Sequence, residues 1–353
     1  MAARTSHEMM GEEEMLSPQE IARVDPRRID QLYGRWPADV EEALKTQVEI
    51  GRKRYERVVY LAVGGSATAG DIISDWFLSS GGVEVSVFTG NVPRINLDNA
   101  FVIVCSTSGD TEETLKMAET IGRDHPDMVA ISAGGKLRGV AERQGIVHVK
   151  IKLSEAPRYS LPYSLFASVA ALRSASLLDG MESELEETVS TLKKTREVIS
   201  SEVPIAGNPS KQIASLLSKG EPCIFASSVT KSVGRRFKTC LNENAKMHAT
   251  FDSAPDFLHN EVEAWERPDG RLRPIFLRRA NEPPFETRSL DAFIAILEKK
   301  GVKTSQVAGT GTGNLSQLMS LCYTLDVASY YTAILRGVDP FGIGLIDQLK
   351  RAR

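Results

Sequence analysis

The sequence predicts an α/β protein in two domains, built on parallel sheets with helices on both faces. Three observations predict it. Short apolar stretches rich in β-branched residues recur, as VVYLAV at 58–63, FVIVC at 101–105 and MVAIS at 128–132. The first two break at small or hydroxyl residues, and helical spacing follows each break. Strands alternating with helices need crossover connections, which pair strands in parallel and cover both sheet faces.

In chain order, residues 1 to about 50 are polar, with a helix expected near Pro37 to Ile50. Arg57 to Val63 reads as a strand that breaks at Gly64-Gly65-Ser66, and Ala67 to Leu78 as a helix. Val83 to Phe88 is a second strand. Phe101 to Cys105 is a third, apolar throughout as a strand buried on both faces should be. Ser106-Thr107-Ser108-Gly109 ends it, a helix follows over Thr111 to Ile121, and Met128 to Ser132 and Ile146 to Ile151 are further strands. Arg158 to Leu178 reads as mostly helical, and Glu182 to Glu202 as a charged helix. Pro204, Gly207, Asn208 and Pro209 form a turn cluster where a domain boundary is placed. The pattern then repeats. Strands are expected at Pro222 to Ser227, Ile275 to Arg278 and Lys303 to Val307, and helices at Ser228 to Lys246, Ser289 to Lys299 and Asn314 to Arg336.

Composition narrows the function. The 353 residues carry 43 Lys+Arg against 46 Asp+Glu, a net charge of -3, which argues against a general nucleic-acid or membrane-surface binder. The 42% hydrophobic share suffices for a sizeable core. Cys105, Cys223, Cys240 and Cys322 include no CxxC pair, so the chain suits a reducing compartment and shows no metal signature. Met1 to Leu16 carries Glu12, Glu13 and Glu14 and lacks the apolar core of a signal peptide. No apolar run approaches the roughly 20 residues of a membrane span. A soluble cytoplasmic protein is expected.

Six places could carry chemistry. At Gly64-Gly65-Ser66-Ala67, glycines allow close backbone approach and the following helix offers N–H groups to an anion, though a plain tight turn has the same sequence. At Ser106 to Thr111, four hydroxyls lie within six residues at the carboxyl end of a buried strand, where open α/β sheets bind ligands. Such a set holds a phosphate without a lysine. A helix cap is the competing reading, since Asp110 and Glu113 have capping-box spacing. Asn242-Glu243-Asn244-Ala245-Lys246 places two asparagines in an expected helix, where a solvated face with a Glu243–Lys246 pair would be ordinary. His259, with His248 as a competitor, is placed to move protons near neutral pH. Finally, Arg158 would ordinarily be a surface arginine, and Lys350 part of a frayed tail.

Together VGGSATAGD (63–71), STSGDTEETL (106–115), PRYSLPYSL (157–165), NENAK (242–246), LHNE (258–261) and LRGVDP…IDQLK (335–350) resemble the bifunctional phosphoglucose/phosphomannose isomerases, members of the sugar isomerase (SIS) domain superfamily. The resemblance runs from about residue 30 to the C-terminus. It implies two SIS domains, 31–205 and 206–353 after an N-terminal extension of 1–30. Each would be a five-stranded parallel sheet flanked by helices, a flavodoxin-like three-layer αβα arrangement. It implies a homodimer with shared active sites. Its substrates would be the 6-phosphates of glucose, fructose and mannose, interconverted through a cis-enediol with no cofactor and no metal. Ser66, Ser106, Ser108 and Thr111, with Gly65, would hold the phosphate. Glu243 would be the base, His259 and Lys350 the ring-opening groups, with the histidine coming from the partner, and Arg158 the stabiliser of the enediolate. A base of this kind is expected to be partly buried. The chain departs from the family pattern at Thr107, Cys240, Leu258 and Phe341. A non-catalytic SIS regulator would add a DNA-binding helix-turn-helix, of which no basic helical module gives a sign. An aminosugar-phosphate isomerase or deaminase would be expected to lack NENAK and HNE.

Overall fold

The computed structural model describes residues 11–352 except 52, 93, 123, 124, 126 and 127. It contains two compact units. The first comprises Arg35–Val189 with Gly313–Leu315; the second comprises the chain up to Gly34, Ser190–Thr312 and the chain from Ser316.

The second unit begins with three short helices, α1 (Glu12–Met15), α2 (Pro18–Val24) and α3 (Ile29–Gly34). Ser17 caps α2 by accepting the Glu20 N–H, with Pro18 at its first position, a favourable helix start. Asp25 Oδ2 accepts the Ile29 N–H at 2.5 Å and so starts α3.

The first unit opens with α4 (Trp36–Ala43) and continues β1 (Arg57–Ala62), α5 (Ala67–Ser80), β2 (Glu84–Phe88), β3 (Ala100–Cys105), α6 (Glu112–Gly122), β4 (Met128–Ser132), α7 (Gly135–Gln144), β5 (Val147–Lys150) and α8 (Leu161–Ser174). Its sheet is parallel throughout in the order β2-β1-β3-β4-β5. All of β3 is buried, as its unbroken apolar run requires. On one face Val59, Leu61, Val102 and Val104 pack against Met117, Ile121, Leu137 and Val140 of α6 and α7. On the other, Tyr60 lies against Gly70 of α5, where a Cβ would come within 2.5 Å of its ring, and Tyr60 Oη bonds Ser168 Oγ of α8 at 3.0 Å.

Next come α9 (Glu182–Ile199), α10 (Pro209–Leu217), β6 (Glu221–Ala226), α11 (Lys231–Glu243), β7 (Thr250–Ser253), α12 (Glu261–Ala264), β8 (Leu272–Arg278), α13 (Pro284–Lys299), β9 (Ser305–Ala308), α14 (Asn314–Leu335) and α15 (Gly344–Arg351). The second sheet is also parallel, in the order β7-β6-β8-β9. Its order repeats that of the first four strands, as the recurring pattern predicts. It has four strands rather than five, because after β9 the chain turns through residues 309–313 straight into α14. One face is an aromatic cluster of Phe225, Phe257, Trp265, Phe276 and Phe293, with centroids 4.8–6.4 Å apart. Within α14, Asp326 is 1% exposed and is held by Arg236 of α11, whose Nε lies 2.9 Å from Oδ1. No helix among the described residues is long and apolar enough to cross a membrane.

Candidate active site

In the first sheet the order reverses between β1 and β3, and the carboxyl ends of those two strands frame the crevice where such sheets bind ligands. Gly64–Ser66 leaves β1 as a single 3-10 turn with Gly64 at φ 61°, a left-handed conformation that suits glycine. Ser66 is buried; its Oγ accepts the Thr107 N–H at 3.0 Å and shares a second bond with Thr107 Oγ1, also at 3.0 Å. The two turns are thereby tied across the crevice. Ser106 is fully buried; its Oγ accepts the Gly109 N–H at 3.1 Å and donates to Thr111 Oγ1 at 3.0 Å. Ser108 is half-buried, its Oγ accepting the Asp110 N–H at 3.3 Å.

The carboxylate of Asp110 does not compete for this crevice. Its Oδ1 accepts the Lys136 N–H at 3.0 Å and serves the first turn of α7 instead of capping its own helix. The loop after β3 is zipped to the loop after β4, with the Ala133 N–H on Thr107 O and the Leu137 N–H on Gly109 O, both 2.9 Å. Gly109, at φ 84°, sits so close that a Cβ would lie 2.0 Å from Gly134 O. Ser132 Oγ donates to Gly134 O at 2.8 Å and lies 2.8 Å from His148 Nε2. Burial, with Arg138 nearby, pushes His148 below the usual histidine range. The Cys105 thiol beside Ser66 is pushed up to about 11 by burial, so it is no nucleophile. Glycines 134 and 135 were not singled out by pattern, although a Gly-Gly pair just past a strand end is a readable signal.

Arg158, read as an ordinary surface arginine, is only 6% exposed. It lies in the 3-10 turn Pro157–Ser160, packed on the Gly64–Ser66 turn, with its guanidinium carbon 4.6 Å from the Tyr159 ring centre. Gly65 faces it: a side chain at 65 would begin 3.9 Å from Arg158 Cα. The first unit thus gathers Gly65, Ser66, Ser106, Ser108, Thr111 and Arg158 around one crevice.

Glu243 ends α11 in the second unit and is half-buried. The NENAK segment is the end of a helix rather than a solvated helix face. Asn244, fully buried, donates from Nδ2 to Tyr33 Oη at 3.1 Å and to Ser329 Oγ at 2.9 Å. Asn242 Nδ2 donates to Met247 O at 2.7 Å. Lys246, at φ 51°, donates from Nζ to the Glu243 and Asp339 carbonyls at 2.6 and 2.8 Å, where a cation suits the helix C-terminus. Glu243 lines a cavity of about 790 Å³ whose walls include Met247, His248, Ile343, Leu345 and Ile346. The imidazole that lines the same cavity as Glu243 is that of His248. His259 ends the 3-10 turn Asp256–His259, is exposed, and does not line this cavity. Lys350 is exposed on α15, the helix whose first turns wall the cavity.

Comparison with known proteins agrees with this architecture. Residues 206–352 match the bacterial phospho-glucose isomerase C-terminal SIS domain. The chain is 28% identical over 308 residues to a bifunctional phosphoglucose/phosphomannose isomerase from Caldicellulosiruptor bescii, covering 86% of this chain and 91% of that protein. It is 28% identical over 243 residues to a D-glucosamine-6-phosphate 4-epimerase from Sulfolobus acidocaldarius, covering 68% and 73%. Among solved structures, a glucose-6-phosphate isomerase like protein from Thermus thermophilus superposes with a TM-score of 0.61 at 22% identity, over 96% of this chain and 99% of that one, a likeness of fold. With both of its sheets parallel, the chain is similar through both units to the bifunctional phosphoglucose/phosphomannose isomerases, and residues 206–352 carry the match to a SIS domain.

Proposed function

We propose that the protein is an aldose–ketose isomerase that interconverts glucose 6-phosphate and fructose 6-phosphate, and also mannose 6-phosphate. The observation that carries this reading is the crevice between β1 and β3, where Ser66, Ser106, Ser108 and Thr111 present hydroxyls and the Asp110 carboxylate is turned to another loop. Neutral donors at a switch point suit a phosphate dianion. Ring opening is assigned to His259 and Lys350. Glu243 takes the proton from C2 or C1 and returns it to the neighbouring carbon of a cis-enediol, which one carboxylate can do. Arg158, permanently charged, stabilises the oxyanion that develops.

We take residues 31–205 and 206–353 as the two SIS domains, a division supported by a family match that starts at 206. A homodimer is supported by the exposure of His259 outside its own chain's Glu243 cavity, which leaves it available to a second copy. Four buried cysteines, none in a disulfide, support a reducing, cytoplasmic setting. The test is a coupled assay with fructose 6-phosphate that scores glucose 6-phosphate and mannose 6-phosphate separately. Formation of both products is expected. Turnover of an amino-sugar phosphate with none of fructose 6-phosphate would overturn the assignment.

A further inference from the structure

The N-terminal segment of residues 11–34 touches Asn244 and Phe341, the immediate chain neighbours of Glu243 and Gly342 in two walls of the Glu243 cavity. Tyr33, 2% exposed, accepts from Asn244 Nδ2 at 3.1 Å, and Asn244 is the residue next to Glu243. Tyr33 is itself held, because its carbonyl accepts from Tyr323 Oη of α14 at 2.6 Å. Earlier in the segment, Asp25 Oδ2 accepts from Tyr330 Oη at 2.9 Å and fixes the segment to the same helix. On the other wall, the Arg27 guanidinium carbon lies 4.0 Å from the centre of the Phe341 ring. Phe341 sits in the Asp339–Gly342 turn, where the Asp339 carboxylate accepts the N–H groups of Phe341 and Gly342 at 2.8 and 3.1 Å. Gly342, Ile343 and Gly344 line the cavity immediately after it. The two walls also meet directly, through Lys246 Nζ on Asp339 O.

We propose that residues 11–34 form a positioning strap for the cavity. Tyr33 fixes the orientation of Glu243 through Asn244, and Arg27 fixes the turn that leads into α15 through Phe341. The strap touches no reacting atom. Its contacts reach Glu243 through one side-chain hydrogen bond and one peptide link, a short and stiff path in a fully buried setting. A cation over an aromatic face gives the second contact direction as well as attraction. Misplacement of a proton-transferring group by a fraction of an ångström lowers the chemical step while leaving ground-state binding largely in place. The proposal rests on Glu243 as the base.

The test uses full-length Tyr33→Phe, Arg27→Ala, Arg27→Lys and Glu243→Gln proteins. Tyr33→Phe removes one hydroxyl and keeps the ring. Its kcat for fructose 6-phosphate is expected to fall about tenfold with KM within about twofold, and the acidic limb of the kcat profile should move. Arg27→Ala, at an exposed position, is expected to lower kcat about threefold, with Arg27→Lys restoring part of it, and it keeps the test open if Tyr33→Phe does not fold. Unchanged kcat and pH profile in folded Tyr33→Phe, or in Arg27→Ala where that is the folded variant, overturns the strap. An inactive Glu243→Gln beside a fully active Tyr33→Phe refutes the strap alone; an active Glu243→Gln refutes the assignment of the base itself.

Discussion

Ser108→Ala separates binding from chemistry. Ser108 is half-buried, and the bond it accepts from the Asp110 N–H, at 3.3 Å, is long. Little of the folded structure depends on it, because Asp110 is already fixed by its carboxylate on Lys136. Truncation should therefore cost under about 1 kcal/mol of stability. A hydrogen bond to a charged group contributes about 1.5–3 kcal/mol, which converts to a roughly 10- to 150-fold loss of affinity. The phosphate is bound equally in substrate and transition state, so the loss belongs in KM, with kcat within about twofold. Initial rates over a range of fructose 6-phosphate, with a urea unfolding curve as control, measure both quantities. A kcat defect with an unchanged KM would refute the argument that this hydroxyl holds a non-reacting group. Ser106→Ala gives the contrast: it releases Thr111 and removes one of the two acceptors of the Gly109 N–H, the Ser106 carbonyl remaining at 2.9 Å, so stability should fall by about 0.5–1.5 kcal/mol for each bond lost, alongside affinity.

Other expectations come from the same geometry. Gly109→Ala should dismantle the crevice, since its Cβ would meet Gly134 O at 2.0 Å; retained phosphate binding, measured by calorimetry with inorganic phosphate, would contradict the zipped-loop account. Asp326→Ala leaves Arg236 buried without its carboxylate and should cost about 3–5 kcal/mol in urea unfolding, a loss under about 1 kcal/mol being incompatible with the pair as described. His148 has a depressed pKa in the folded state, so the unfolded chain takes up its proton first. Its contribution is present above a pH of about 6.5 and is lost as pH falls through the lower folded value. Thermal melts below that pH should fall more steeply for the unmodified chain than for His148→Gln.

The strands buried on both faces were legible in the sequence, because unbroken β-branched runs such as FVIVC have no stable exposed alternative. β7 was not, since Thr250–Ser253 carries only Phe251 as an apolar residue and is defined by its pairing with β6. Hydroxyls at Ser106 to Thr111 announced a hydroxyl-lined crevice, but the direction of Asp110 was not readable, because capping-box spacing fits its own helix as well as the tertiary bond to Lys136. NENAK looked like a solvated helix face because spacing cannot show that Asn244 is buried against Tyr33, more than two hundred residues earlier. Lys350 lies on a helix whose apolar residues Leu345 and Leu349 remain exposed, so in sequence it resembles a tail.

The discontinuity of the second unit has a consequence for biogenesis. Its first described segment, ending at Gly34, is separated from the rest by the whole of Arg35–Val189. Emerging from the ribosome, residues 11–34 meet none of α10 to α14 until more than 150 further residues have been translated. The intervening unit owns its complete sheet and is the first able to fold during synthesis. Until then Leu16, Ile21, Ile29 and Tyr33 are nascent apolar groups awaiting their core, a stretch for which chaperone shelter matters.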